Sequence, residues 1–364
     1  MFRINRREFI KSMAAGIGVV SFGPVFGSLA QDAGNSHIQT VLGPIKPDEL
    51  GLTLIHEHVM VDFIGADEVN KDRYDPDEVV EVMQPYLEEI KALGVNGFAE
   101  CTPMFLARDP EVLARLSKSV GMHIITNTGM YKEPYLPQYA FEKSAQELAD
   151  MWIHEARNGI ENTGIKPGFV KIAVNPGSLI PIQQKIVRAA ARTSLATGLV
   201  IASHTGHGVA ALETMDILEE EGLSPESYIF VHAGSESNQD FHFQVAERGA
   251  WVEYDHIGEN SAAGALKLIK NMLEKGYEDQ LLLSQDAGWY NVGQPKGGNI
   301  RGFGYIISEF MPMMVESGID QNTVDKLMIT NPAKALTVKS SGGAKAVSPG
   351  GKAVSTFGKV KGGK

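Results

Sequence analysis

The sequence predicts a single closed (β/α)8 barrel, a TIM barrel, as one α/β domain. Three observations carry that expectation. Eight short, nearly all-apolar runs recur at 53–61, 97–101, 123–128, 169–174, 200–204, 229–232, 251–254 and 281–285. Runs of that kind suit parallel strands buried on both faces. Longer amphipathic patterns lie between them, among them 76–93, 141–158, 182–197, 208–221 and 239–248, and strands alternating with helices build parallel sheets. Gly94, Gly159, Gly198, Gly222 and Gly249 follow these five patterns, where a left-handed residue ends a helix most easily. An open doubly wound sheet is the rival, weakened because no Gly-rich phosphate turn follows the first strand. No internal repeat or linker divides the region, so one domain is expected.

The two ends stand apart from the barrel. Residues 1–30 read as an export signal. Arg3, Arg6, Arg7 and Lys11 make a positive head, 13–26 a mildly apolar segment, and Ser28-Leu29-Ala30 a small-residue cleavage site. The core Asn5-Arg6-Arg7-Glu8-Phe9-Ile10-Lys11 looks like a twin-arginine signal, which passes folded proteins to the twin-arginine export machinery. The expected location is periplasmic or otherwise exported. The apolar stretch is shorter than the roughly 20 residues of a spanning helix, so no stable membrane insertion is expected. The barrel occupies 31–338. Residues 339–364 turn to Gly, Ser, Ala and Lys without an acidic residue, which predicts a disordered tail.

A net charge of −11 argues against nucleic acid, whose phosphates need a concentrated basic face. The single cysteine, Cys101, excludes an intramolecular disulfide and reads as a small buried hydrophobe at a strand end.

The barrel makes a demand on chemistry: its functional residues belong at the C-terminal ends of the strands. His56 and His58, two apart on the first strand, share a face. A metal would accept two neutral imidazoles, and two histidines that merely share a polar face is the other reading. Lys171 sits in the fourth strand, His204 ends the fifth, His232 the sixth and Asp286 the eighth. Alone, each has an ordinary explanation: a satisfied core histidine, a helix-capping aspartate, a lysine reaching for the surface. Six at equivalent depth from five strands point to a site. Four imidazoles and a carboxylate suit zinc or another divalent first-row ion, and they exceed what one catalytic ion needs, so two ions are expected. Carboxylation by CO2 would turn Lys171 into an anionic ligand for both.

With these residues in place, the sequence resembles the phosphotriesterase family of the amidohydrolase superfamily. The resemblance runs from Val41 to about Thr337 and includes 51–58, 189–198, Glu221-Gly222-Leu223-Ser224-Pro225, Asp255-His256-Ile257 and Asn331-Pro332-Ala333-Lys334. It implies a binuclear site in which His56, His58 and Asp286 hold the more buried ion and His204 and His232 the more exposed one. N6-carboxylysine at Lys171 and a hydroxide would bridge the pair. The ions would be zinc, or else cobalt, manganese or iron. The bridging hydroxide would attack the substrate's C=O or P=O, with Asp286 accepting its proton and His256 passing it to solvent. Tyr131 resembles the tyrosine that lactone-hydrolysing members place near the metals, and a rim-packing aromatic is the other reading. Trp289 opens the Gly-rich loop 286–304, the expected substrate wall. Members with strong phosphotriesterase activity carry an acidic residue where this chain has Ser235, with Glu236 adjacent as a substitute. Glu57 is expected to be structural, and His123, His154, His207 and His242 to stand outside the ligand set. The resemblance is compatible with a homodimer.

The function expected is hydrolysis of a small-molecule lactone or other carboxylic ester, with promiscuous organophosphate hydrolysis. A true phosphotriesterase is the alternative. A catalytically idle metal- or ligand-binding barrel is the third reading, and the complete ligand set speaks against it.

Overall fold

The computed structural model describes residues 36–339; the export signal and all but the first residue of the tail expected above lie outside them. β1 (Ile38–Thr40) and β2 (Gly43–Ile45) form an antiparallel hairpin. The remaining strands are the staves of one parallel barrel. In order they are β3 (Thr53–Val61), β4 (Gly97–Glu100), β5 (His123–Ile125) with β6 (Asn127–Thr128), β7 (Phe169–Ala173), β8 (Ile201–His204), β9 (Tyr228–Val231), β10 (Trp251–Tyr254), and β11 (Leu281–Leu283) with β12 (Gly288–Asn291). β5 pairs with β4 and β6 with β7, so these two segments are one stave interrupted at Thr126. The ring closes where β12 pairs with β3 and the Asp286 amide donates to the His56 carbonyl at 3.1 Å. That makes the expected eight-stave TIM barrel.

Two expectations need correction. The pattern at 141–158 is two helices, Gln138–Glu142 and Ala145–Asn158. Ser144 starts the second with a capping box, its hydroxyl accepting from the Glu147 amide while the Glu147 carboxylate accepts from the Ser144 amide; a cap that strong favours a new helix over a continued one. The loop expected from 286 contains β12, which extends the eighth stave along the upper half of β3. All five glycines have positive φ, between +79° and +103°, but Gly159, with ψ 153°, lies outside the left-handed helical region expected for it. A side chain at Gly198 would also strike the Lys339 carbonyl.

The barrel has an outer and an inner core. The outer one packs staves against helices through residues such as Val170, Ile172, Phe230, Leu281 and Leu283. The inner one fills the lower barrel with Ile55, Ala99, Cys101, Ile125, Phe169, Val200, Ala202, Ile229, Trp251 and Leu282. Ile38, Leu50, Ala335 and Leu336 join this cluster and plug its base. On β7 the alternation is plain: Phe169 joins the inner cluster, Val170 the outer, and Lys171 is next to face inward.

Candidate metal centre

Above the apolar plug the same alternation delivers ionisable groups. On β8, Val200 and Ala202 belong to the plug and His204 is the next inward position. On β10, Trp251 is followed inward by Glu253 and Asp255. Elsewhere alternation is broken to the same end. β3 shifts register against β4 between Leu54 and Glu57. His232 follows Val231, itself a plug residue, so a regular strand would face it outward. A left-handed backbone at His232 (φ 61°) and Asp286 (φ 53°) aims these side chains instead. Non-glycine residues are rarely held there, and such conformations cluster at functional sites.

His56, His58, Lys171, His204, His232 and Asp286 line a single pocket of about 50 Å³, with Tyr131, Phe63 and Trp289 at its mouth. His58 Nε2 lies 3.1 Å and His56 Nε2 3.9 Å from Asp286 Oδ1. Lys171 Nζ is 3.3 Å from His56 Nε2, and His232 Nε2 is 2.7 Å from His204 Nδ1. The expected ligands therefore form a triad and a pair, with the lysine against the triad.

A second ring of groups sets the proton positions. Thr102 Oγ1 donates to the Met60 carbonyl at 2.9 Å, so at 2.8 Å it accepts from His58 Nδ1–H. Asp255 accepts from His232 Nδ1–H and from the His232 amide, both at 2.8 Å. His56 Nδ1 faces Glu253 at 2.6 Å and Asp255 at 3.4 Å. With their Nδ1 protons committed outward, His56, His58 and His232 turn bare Nε2 lone pairs into the pocket.

Charge state follows from burial. Desolvation first, then the Lys171 charge, takes His56 down to about 3. Burial likewise lowers His58 and His204, the latter helped by His232. All three are neutral near pH 7, as a ligand must be. For Asp286 burial pushes the pKa upward, and the imidazoles pull it down only while one of them turns an N–H or a positive charge toward the carboxylate. Asp286 Oδ1 is buried and, among the described residues, accepts no hydrogen bond. An anionic oxygen facing two imidazole lone pairs without a proton between them is unfavourable unless a cation is shared. The donor set therefore fits a divalent ion.

A family model for the phosphotriesterase family matches residues 36–336. The chain belongs to the phosphotriesterase family. Its relatives include the phosphotriesterase homology protein of Escherichia coli (strain K12), 27% identical over 293 residues and covering 79% of this chain and 98% of the relative. The aryldialkylphosphatase of Saccharolobus solfataricus is 28% identical over 305 residues, covering 80% and 96%. The N-acetyltaurine hydrolase of Salmo salar is 26% identical over 345 residues, covering 83% and 98%. At this level of description the chain is a hydrolase.

The remaining residues singled out in this phosphotriesterase-family chain are placed as follows. His256 Nδ1 lies 4.0 Å from Asp286 Oδ2 and 3.9 Å from Asp255 Oδ1, with its ring largely exposed. Asp255 raises its pKa. Glu236 does not substitute for an acid at Ser235: its carboxylate is taken by the Gly208 and Asn238 amides, both at 2.8 Å, where it caps the helix Gly208–Glu220. Tyr131 Oη stands 3.1 Å from His204 Nδ1. Trp289 meets His58 at 5.2 Å between ring centroids and stacks on Phe63 at 5.6 Å. Glu57 is fully buried and accepts from Ser284 Oγ, the Gln285 amide and the Ala287 amide, fixing the turn that carries Asp286. His207 pins the Gly177 amide, His242 bonds Tyr254, His154 bonds Asn158, and His123 sits at the opposite, N-terminal end of its stave.

Sequence reasoning missed Thr102, Glu253 and Asp255 as partners of the histidines. For the two carboxylates the signal was present: Trp251, Glu253 and Asp255 share one face of a strand by simple alternation.

Proposed function

We propose that this chain is a binuclear metal-dependent hydrolase of a lactone or other carboxylic ester. The observation that carries the reading is the unpartnered Asp286 oxygen between two imidazole lone pairs. His56, His58 and Asp286 would hold one divalent ion, most simply zinc, and His204 and His232 a second. Lys171, buried and among the described residues bonded only to an imidazole nitrogen, would join them as N6-carboxylysine, since an ammonium makes a poor ligand. When bound, the two ions supply Lewis acidity toward the substrate oxygen and lower the pKa of bound water.

The chain's own residues do the rest. Asp286 presents Oδ2 toward His256, so the proton released as water adds to the carbonyl has a route from carboxylate to imidazole to solvent. Tyr131 aims its hydroxyl at the His204 side of the pocket, where it can donate to the substrate or to the departing oxygen. Burial holds its pKa high, so it stays a donor. Phe63 and Trp289 wall the mouth against water. The pocket admits a small acyl head and leaves the larger part of a substrate at the rim.

The aryldialkylphosphatase relative supports a phosphotriester as the second reading, which Ser235 weakens. The N-acetyltaurine hydrolase relatives extend the comparison to an amide. The deciding experiment measures kcat/KM on the metal-reconstituted chain for lactones, aryl esters, N-acyl amides and phosphotriesters. An advantage of about a hundredfold or more for lactones or esters is expected; the same advantage for phosphotriesters or amides overturns the ester assignment. We also propose twin-arginine export with cleavage near Ala30. The intact mass of the periplasmic protein tests it, and a retained Met1 overturns it.

A further inference from the structure

Lys132 follows Tyr131 directly, on the loop that leaves β6. Its ammonium hydrogen-bonds the Val174 carbonyl at 3.4 Å and lies 5.7 Å from the Tyr131 ring centre. Val174 follows β7, and its amide donates to the carbonyl of His204 at 2.9 Å. The Lys132 Nζ is thus bonded to the very residue that bonds the His204 backbone, on the Tyr131 side of the mouth. Its charge is felt at the His204 ring.

Lysines are almost never fully buried without a partner, and a half-buried one buries its stem and keeps its ammonium available to water or a ligand. Among the described residues no carboxylate bonds Nζ: Glu133, whose charge does act on the ammonium, accepts from Gln183 at 3.4 Å, and the acceptor at Nζ is that long carbonyl contact. The other cation near the rim, Arg301, is committed to the Gln285 carbonyl near Asp286. One partly desolvated ammonium, held by a single long carbonyl contact, therefore keeps donor capacity beside Tyr131, which bonds His204.

We propose that Lys132 is a specificity-determining residue: it binds an anionic substituent, a carboxylate or sulfonate, carried by the substrate a few bonds from the scissile carbonyl. This deepens the ester-hydrolase reading and rests on it for the identity of the scissile bond. The substrate class becomes an acyl compound with one remote negative charge. Its reacting carbonyl enters the pocket while the charged end stays at the rim on Nζ. Hydrolysis would add water across the acyl bond and leave the remote anion untouched.

The test compares wild type, Lys132→Met and Lys132→Arg in the full, metal-loaded chain. In the kinetic arm, mono(4-nitrophenyl) glutarate is set against 4-nitrophenyl pentanoate, which lacks the charge. Wild type should favour the anionic ester about tenfold in kcat/KM, mainly through KM, with the preference shrinking as salt rises. Lys132→Met should bring the ratio near one and Lys132→Arg should restore most of it. In the binding arm, calorimetry should show glutarate binding wild type about tenfold tighter than butyrate, and Lys132→Met should remove that difference. If wild type turns over neither ester yet shows the binding difference, the ester reading fails and the anion subsite stands. If the ratios are the same in wild type and Lys132→Met in both arms, the subsite is overturned whatever the enzyme hydrolyses.

Discussion

Below Lys171 the barrel interior holds Phe169, Trp251, Ile229, Val200 and Ile125, closed at the base by Leu50 and Leu336. Above Phe169, on the same staves, it holds Lys171, Glu253, Asp255, His204 and His232. The two layers are almost equally dry: Phe169 and Lys171 are each 2% exposed. Yet one consists of groups that gain by leaving water and the other of groups that lose by it. The lower layer stabilises the fold by itself, since each large apolar side chain buried there contributes about 1.5–3 kcal/mol. The upper layer offsets that cost in part through its own hydrogen bonds and ion pairs, and on the proposed function a bound cation would offset more of it. Stability and function are thus divided by height along one tube, and substitutions in the two layers should fail in different ways.

Lys171→Ala makes the greatest difference. Activity should fall by about a thousandfold or more, in the range seen when a central catalytic group is removed, and bound metal should fall with it. The fold should remain, because the plug is intact. Metal analysis beside kcat/KM checks this, and a short carboxylic acid should restore part of both. Full activity in a metal-free Lys171→Ala protein would sink the metal mechanism. Phe169→Ala is the counterpart two residues away. It should destabilise the protein by about 3–5 kcal/mol in urea unfolding, while metal per folded molecule is unchanged. If instead it removes metal at constant stability, the division by height is wrong.

The contrast also explains what was legible in the sequence. Residues 169–174 and 200–204 are regular strands, so alternation alone carries the reader from Phe169 to Lys171 and from Val200 to His204. The closed barrel and the convergence of strand ends follow from such runs. His232 and Asp286 were assigned from their places at strand ends. The left-handed backbones that aim them are enforced by the Asp255 contact with the His232 amide and by the Glu57 grip on the turn at 284–287, both between residues distant in sequence. The fate of Glu236 was hidden for the same reason: only the fold brings a helix N-terminus to it. Thr102, a lone threonine after a strand, gave no signal of its bond to His58.

Thr102→Val tests the ring that links the two layers to the centre. It keeps shape and removes the acceptor for His58 Nδ1–H. Loss of such a partner weakens metal binding about ten- to a hundredfold, which competition with a chelator will measure. An unchanged affinity would mean that the Nε2 lone pair of His58 is set by something other than Thr102.

The smallest effect expected is a pH slope. Burial raises Glu100 to about 8, against hydrogen bonds from Thr102 and Val59 that favour its anion, and burial raises Glu57 likewise. An acid whose folded pKa lies above its unfolded value of 4.5 contributes stability that declines as pH rises from 4.5 toward the folded value. The buried histidines act in the opposite sense, since their lowered pKa values make the fold less stable as pH drops below 6.5. Asp255, held below 3.8, acts only in strong acid. Between pH 6.5 and 8 the buried glutamates are therefore left to act without opposition from these groups. The metal-free protein should lose stability across that window, by at most about 1.4 kcal/mol per pH unit for each proton. Urea midpoints for wild type and Glu100→Gln give the comparison, and the variant should show the flatter profile. Equal slopes would place Glu100 as an anion throughout, and the bonds from Thr102 and Val59 would then outweigh its burial.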